Sequence, residues 1–253
     1  MQWTELLDIP LDQGLWVLLS VCIASVIRAF TGFGFAMLAV PVFSLFLVPG
    51  DAVVLSASLA LILGVIGYKA WWGRYPTEPV VPMLSGSLLG TATGVWFLAS
   101  LSVAEFQLWI GLSVVLASVL LARYQPVERQ VSTPVSLGTG VASGLMNGAF
   151  AIPGPPVVMF VVATLPNPVQ SRAFLMMFFV FSNIVSLTMF ALADLMSTRP
   201  FQLLWVALPA LWMGDRLGNW AFERYSGRAY RPFVVALCIA IGLSISIKAL
   251  WWS

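Results

Sequence analysis

The chain has 253 residues, of which 60% are hydrophobic and only 9% carry a charge, whereas a soluble protein has about 25% charged residues. This composition predicts an all-α polytopic membrane protein, and a net charge of +2 without a basic run argues against a nucleic-acid partner. Because the chain contains no histidine, His-based zinc sites, Ser–His nucleophile pairs and histidine proton shuttles are all disfavoured.

The two cysteines, Cys22 and Cys238, lie far apart inside apolar segments and lack the CxxC spacing of a redox or metal pair. We therefore expect them to be small core residues, and we predict no metal site and no cofactor. The acidic N-terminal residues 1–14 lack the positive region of a cleavable signal, so we expect them to stay on the mature protein.

Hydropathy divides the chain into segments whose lengths are informative. Six have 17 to 22 residues, close to the ~20 that a helix needs to cross the hydrocarbon layer; they are 52–72, 80–101, 106–122, 173–193, 201–218 and 232–252. Two more, 15–48 and 135–165, have 34 and 31 residues, which is too long for one span and too short for two.

Each long segment contains a cluster of helix breakers near its middle. In the first segment the cluster is Thr31-Gly32-Phe33-Gly34, and in the second it runs from Asn147-Gly148 to Pro156. No helix continues through Pro153-Gly154-Pro155-Pro156, because proline lacks a backbone donor and displaces the residue before it from helical geometry. We interpret each segment as two half-length helices that meet at a bend, forming a hairpin that enters the membrane and returns. A single long, tilted helix is the alternative.

The two long segments also indicate an internal repeat. Gly32 lies 17 residues before Pro49 and Gly148 lies 18 before Pro166, and small-residue pairs follow at Gly90-x-x-x-Gly94 and Gly214-x-x-x-Gly218. We predict two inverted repeats, each a broken-helix hairpin plus three transmembrane helices. The first repeat is 1–122, a cytoplasmic linker follows at 123–133, and the second repeat is 134–253. Interrupted helices at matching positions of two repeats point to a transport site between them.

Charge placement supports hairpins over eight plain spans. With hairpins, nine basic residues share one side of the membrane and only Arg199 lies opposite; the nine are Lys69, Arg74, Arg123, Arg129, Arg172, Arg216, Arg224, Arg228 and Arg231. With plain spans, the basic residues would divide about evenly between the two sides. Because short cytoplasmic loops collect Lys and Arg, we predict that this side is cytoplasmic and that both termini are extracytoplasmic.

Two motifs carry a resemblance to a known family. The stretch 31–41 (TGFGFAMLAVP) resembles the first-half signature of the TauE/SafE anion transporters, and 147–160 (NGAFAIPGPPVVMF) resembles the second-half signature of their Gly-Pro-Pro branch. The resemblance covers essentially the whole chain. It implies a membrane transporter, not an enzyme, that exports or takes up small sulfur-containing anions: sulfite, thiosulfate, or organosulfonates such as sulfoacetate. We expect it in the inner membrane of a bacterial cell.

Independently of the family, the breaks favour an anionic ligand. A half-helix that begins inside the membrane presents free N–H groups and the positive end of its dipole, an arrangement that suits an oxyanion. We predict that the substrate-binding residues surround the two breaks, with Thr31 and Asn147 as matched polar side chains; the full set is Thr31, Gly32, Gly34, Asn147, Gly148, Gly154 and Pro155. The alternative is that these glycines and prolines only allow a bent helix to pack tightly.

Two arginines complete the predicted substrate-binding set. Arg28 lies one turn before the first bend, where an unpaired guanidinium in hydrocarbon costs at least ~2.5 kcal/mol. It either attracts the anion or is satisfied otherwise, by snorkelling to the surface or by pairing with an acid such as Asp215. Arg172 follows the turn at 166–171, where it anchors the loop or contacts the substrate.

Export is the favoured direction, because moving one negative charge out of a cell is downhill by ~2.3 kcal/mol per 100 mV of inside-negative potential. Uptake with H⁺ or Na⁺ stays open, as does a permease or channel for other small organic or inorganic anions. An intramembrane hydrolase is a competing class, but without histidine it would need a Ser–Lys or Asp–Asp pair. A structural membrane scaffold is another, and it would lack an internal cavity. The expected partners are a small anion and the lipid bilayer, with a homo-oligomer left open.

Overall fold

The structure is a computed structural model that describes residues 11–31, 34–123, 130–165, 167–225 and 230–251, and within these ranges every regular element is an α-helix. The helices in chain order are α1 Leu11–Thr31, α2 Phe35–Phe43, α3 Pro49–Ile66, α4 Tyr68–Trp71, α5 Val80–Ser100, α6 Val103–Arg123, α7 Thr133–Phe150, α8 Gly154–Thr164, α9 Pro168–Leu192, α10 Arg199–Tyr225 and α11 Tyr230–Trp251.

Four of the described helices are long and apolar enough to cross a membrane: α3, α5, α6 and α9 from Val169 onward. Shorter apolar stretches lie in α1, α8 and α11. Large apolar side chains face outward, and Trp96 on α5 and Trp205 on α10 are 73% and 71% exposed. The all-helical membrane architecture predicted from composition is therefore confirmed, and the exposed apolar faces suit contact with lipid.

Both predicted helix breaks occur. α1 ends at Thr31, and α2 begins after Gly34, whose φ of 95° lies in the left-handed region. α7 ends at Phe150, and α8 begins at Gly154 with Pro155 and Pro156 in its first turn. Proline is tolerated there because the first N–H groups of a helix have no intrahelical partner.

The two arms of each broken helix are unequal, which corrects the expectation of two half-length helices. The first arms, α1 and α7, have 21 and 18 residues, whereas the second arms, α2 and α8, have only 9 and 11. At ~1.5 Å per residue the first arms are about 27–32 Å long and the second about 14–17 Å. The reason is that α1 begins at Leu11, four residues before the apolar segment, while the turn at 44–48 ends α2 early.

Glycines allow two pairs of helices to pack almost backbone to backbone. α5 lies along α7, where a Cβ added at Gly90 or Gly144 would overlap a carbonyl oxygen of the opposite helix. α10 lies along α1 in the same way through Gly214 and Gly218. In both pairs the contacted residues advance in the same direction along the two helices, so each pair is parallel. Small residues are what such close approach between membrane helices requires.

The structure repeats at a regular interval along the chain. The starts of α2 and α8, Phe35 and Gly154, are 119 residues apart, and so are the starts of α3 and α9, Pro49 and Pro168. The helix pairings between the two halves of the chain also correspond: α5 of the first half packs on α7 of the second, and α10 of the second half packs on α1 of the first. This regularity favours the division into two repeats, which stays a prediction.

Buried apolar residues form two clusters: the larger extends from the centre of the bundle to the end that carries Asp51, and the other, which includes Trp71 and Phe174, lies toward the opposite end. The larger cluster contains residues of α1, α2, α3, α5, α6 and α10; its large side chains with less than 2% exposure are Phe43, Leu55, Leu59, Phe106, Ile110, Ile152, Phe190 and Leu203. At the same end, Asp51 is 5% exposed and its Oδ1 accepts a hydrogen bond from Ser197 Oγ at 2.8 Å. The described residues at this end are closely packed.

Candidate functional site

A small cavity lies where the two helix breaks meet. Its volume is about 50 Å³, and it is lined by residues 34–37 of the first break and 151–154 of the second. The remaining described lining residues are Arg28, Ala60, Gly64, Met176, Phe179 and Asn183. Because one water molecule needs only ~10–15 Å³, the cavity has room for a small ion. The structure therefore brings together the two breaks that the sequence separates by more than a hundred residues.

The start of α2 supplies buried backbone donors to this cavity. The N–H groups of Phe35, Ala36 and Met37 belong to the first turn, so they have no acceptor within the helix. All three residues are buried and line the cavity. The positive end of the α2 dipole adds to their field, which makes this wall of the cavity favourable for negative charge.

The start of α8 offers fewer donors than the start of α2. Pro155 and Pro156 have no N–H, so among the first three residues of α8 only Gly154 has a free backbone donor. The carbonyl of Pro153 is occupied, because it accepts a hydrogen bond from Ser143 Oγ on α7. The second break thus contributes shape and dipole, while most of the available N–H groups come from the first.

Ala151 turns the chain from α7 toward the cavity. Its φ of 55° is left-handed, its N–H donates to the Asn147 carbonyl at 2.8 Å, and the Ile152 N–H donates to the Met146 carbonyl at 3.3 Å. This pattern of two capping bonds ends a helix and redirects the chain. It places Ala151 and Ile152 on the cavity wall.

Arg28 connects the small cavity to a larger one. It lines both the cavity at the breaks and a vestibule of about 420 Å³. Its Nη1 lies 3.2 Å from Asp215 Oδ1, and the other carboxylate oxygen of Asp215 accepts from Asn219 Nδ2 at 3.1 Å. Of the alternatives left open for Arg28, pairing with Asp215 is therefore observed, and Arg28 also lines the cavity.

The vestibule lies at the end of the bundle that carries Ala70 and Arg172, and Leu63 and Leu211 of the larger apolar cluster also line it. It is formed by the ends of α1 and α3, by Gly67 and Ala70, by Arg172 and Met176 of α9, and by residues 208–219 of α10. Arg172 is exposed and lines it together with Arg28, Asp215 and Asn219. Arg172 also acts on Arg28 electrostatically, and two cations beside a single described carboxylate give this vestibule a field that attracts anions.

Residues 17–245 match the family described as Sulfite exporter TauE/SafE. The chain belongs to this family. It is therefore a multi-pass membrane protein of a transporter family, and the resemblance carried by its two motifs is confirmed. Neither the curated proteins nor the solved structures gave a match.

The structure of this TauE/SafE member places some predicted residues at the cavity and others elsewhere. Arg28, Gly34 and Gly154 line the cavity, and Arg172 lines the vestibule. Gly148 packs against Thr91 on α5, where it permits close helix contact. Pro155 is buried and is not among the described residues that line the cavity.

The structure does not test the predicted match between Thr31 and Asn147, which stays a prediction. Asn147 is fully buried and ties α7 to α9, because its Nδ2 donates to the Ser182 carbonyl at 2.8 Å and to Ser182 Oγ at 2.9 Å. Thr31 is the last residue of α1, but its side chain, like the whole of Gly32, lies outside the described residues. By the 119-residue interval, the residue that corresponds to Asn147 is Arg28.

Sequence reasoning missed Asn183, which lines the cavity from α9. It is 2% exposed, and its Nδ2 donates to the Phe179 carbonyl at 2.7 Å, which fixes the orientation of the amide because a carbonyl can only accept. Its Oδ1 has no hydrogen-bond partner among the described residues. An amide inside the apolar segment 173–193 was the signal that could have identified it.

Proposed function

We propose that this TauE/SafE chain exports small sulfur-containing anions across the bacterial cell membrane and binds them in the cavity between its two helix breaks. Sulfite, thiosulfate and organosulfonates such as sulfoacetate are the candidate substrates. The observation that carries the proposal is that both breaks and Arg28 line one cavity.

The cavity can compensate for the water that an anion loses on entering a membrane protein. Burying an unpaired charge is costly, but the free N–H groups at the start of α2 can donate directly to the oxygens of the anion. Arg28 adds a charge-assisted donor in the same space. Backbone donors held by a helix are fixed in place, so they need little reorganisation when the anion arrives.

The two ends of the bundle support alternating access as the mechanism. The cavity adjoins the vestibule through the shared residues Arg28 and Met176, whereas on the side of Asp51 the cavity is bordered by residues of the larger apolar cluster. Since the vestibule lies at the end that carries Lys69 and Arg172, the positive-inside rule makes it cytoplasmic. We infer that two inverted repeats, 1–122 and 134–253, exchange the open and closed ends during transport.

This orientation is consistent with export that needs no coupling ion. An anion would enter from the cytoplasmic vestibule and leave on the opposite side. With an inside-negative potential, each negative charge that leaves gains ~2.3 kcal/mol per 100 mV. Efflux should therefore respond directly to membrane potential.

The direct test uses the purified full chain in proteoliposomes loaded with radiolabelled sulfite, thiosulfate or sulfoacetate. We expect saturable efflux of at least one of these anions, and we expect it to accelerate when a potassium diffusion potential makes the lumen negative. Liposomes without protein serve as the control. Efflux no faster than in the control would contradict the proposal, and flux that rises without saturation would indicate a channel instead.

A further inference from the structure

The Arg28–Asp215 pair lies at the passage between the cavity and the vestibule. Arg28 lines both spaces and its side chain is 16% exposed, whereas Asp215 lines only the vestibule and its side chain is 31% exposed. Arg28 and Met176 are the two lining residues that both spaces share, so an anion that moves between the spaces comes close to Arg28. Any carboxylate that pairs with Arg28 competes with the anion for the guanidinium.

The helices that carry this pair cannot easily separate. Gly214 and Gly218 flank Asp215 on α10 and press on the α1 backbone near Cys22 and Val26. Such contacts hold α1 and α10 together as one unit. Because the two helices move together, a rocking motion does not break the ion pair, and Arg28 is released only when a side chain changes its partner.

The geometry of the pair suits such an exchange. A single contact, Nη1 to Oδ1 at 3.2 Å, joins the two side chains, whereas tight guanidinium–carboxylate pairs use two parallel bonds. Asp215 has a second partner in Asn219, and its partly exposed carboxylate can turn toward water in the vestibule. Arg172 repels Arg28, so an additional anion between the two cations is favourable.

Resting on the proposed function, we propose that Asp215 is a tethered competitor of the substrate: its carboxylate occupies Arg28 while the cavity is empty, and an incoming anion displaces it. Asp215 would keep the empty site neutral, where an unpaired arginine is costly. It would also limit substrate affinity, so that the anion does not remain bound to Arg28. Asp215 acts through Arg28 and is a positioning residue.

The test compares sulfite binding and transport by the full-length wild type and Asp215→Asn. This variant keeps the shape and an acceptor for Asn219 but removes the competing charge. We expect its apparent affinity for sulfite to rise roughly tenfold, the effect of removing one nearby charge, while its maximal efflux rate falls because release is slower. Affinity is read from the sulfite-dependent rise in melting temperature and from KM in proteoliposomes.

Further variants distinguish displacement of Asp215 by the substrate from an ion pair with a purely structural role. Arg28→Gln should lose sulfite affinity, and the Arg28→Gln/Asp215→Asn double variant should be as weak as Arg28→Gln alone. If the pair only joins α1 to α10, the double variant regains activity and Asp215→Asn lowers stability without tightening binding; either result overturns the proposal. Asp194→Asn, at the end that carries Asp51, is the matched control and should behave as wild type.

Two outcomes distinguish this inference from the proposed function. If wild type carries sulfite and Asp215→Asn has an unchanged or higher KM, the exchange is wrong and the transport function stands. If wild type neither binds nor carries any of the tested sulfur anions, both are wrong. Should Asp215→Asn fail to fold, Asp215→Ser provides the same loss of charge in a smaller side chain.

Discussion

Gly34 and Ala151 are the two residues at which the chain turns toward the cavity. Both have left-handed backbones, with φ of 95° and 55°, but only one of them is a glycine. A left-handed conformation costs an L-residue roughly 1–2 kcal/mol, while glycine adopts it readily. The structure therefore stores strain at Ala151 and avoids it at Gly34.

This difference predicts opposite effects for two substitutions. Gly34→Ala should destabilise the protein by about 1–2 kcal/mol and slow sulfite efflux, because the first turn of α2 shifts. Ala151→Gly should be neutral or should raise stability by less than about 1 kcal/mol, because relief of strain is partly offset by the greater freedom of the unfolded chain. Thermal unfolding in detergent measures both, and a Gly34→Ala variant as stable as wild type would show that the left-handed turn is not required.

Asn183 gives a second prediction at this scale. Its buried Oδ1 has no partner among the described residues, and an unsatisfied buried polar atom costs about 1–3 kcal/mol. Asn183→Leu should therefore raise the melting temperature while lowering efflux, since the amide lies on the cavity wall. Ser186→Ala, one turn further along α9, is the control. Unchanged efflux by Asn183→Leu would remove this residue from the site.

At the scale of elements, the glycine seam between α5 and α7 sets the distance between two helices. A Cβ at Gly144 would overlap the backbone of Ser87, whereas a Cβ at Gly138, on the same helix, meets open space. The two glycines thus differ in function although both lie in α7. One is required for packing, and the other only weakens its helix.

The seam predicts that alanine at these two positions acts in opposite directions. Gly144→Ala should cost about 1–3 kcal/mol or more through overpacking, whereas Gly138→Ala should stabilise α7 by roughly 0.5–1 kcal/mol through helix propensity. Melting temperatures of the purified variants compare them directly. Equal melting temperatures would mean that α5 and α7 do not pack through Gly144.

At the scale of the whole molecule, a vestibule lies at one end of the bundle, and the larger apolar cluster extends from the centre to the other. Ala70 is exposed and lines the vestibule, whereas Ala57 is 1% exposed in the apolar cluster. A chain that alternates between two states must open the cluster during transport. The structure is thus one state of the proposed cycle.

Cysteine labelling tests this asymmetry. In a Cys22→Ala/Cys238→Ala background, Ala70→Cys should react with a membrane-impermeant maleimide added from the cytoplasmic side, and Ala57→Cys should react at least tenfold more slowly. Reaction of Ala70→Cys only from the outside would reverse the predicted orientation. Fast labelling of Ala57→Cys from either side would contradict a closed end.

Much of the fold could be predicted from local chemistry. The length and apolarity of the segments give the spanning helices, and the prolines and glycines give both breaks, because these residues act on the backbone wherever they stand. The arm lengths could not be predicted, since the ends of α1 and α2 depend on capping and packing. Gly34 and Gly154 line the cavity as predicted, because they form the breaks themselves. The contact of Gly148 with α5 could not be predicted, because it depends on where another helix packs.

The sequence by itself therefore determined that the protein is a helical membrane protein with two interrupted helices, and its two motifs indicated the transporter family. Only the tertiary structure decided that both interruptions line one cavity, that Arg28 is held by Asp215, and at which end of the bundle the vestibule lies. The physical reason is the distance along the chain between the residues that interact. Backbone breaks and apolar periodicity are set by neighbouring residues, whereas a cavity, an ion pair between α1 and α10 and a vestibule depend on how distant helices pack.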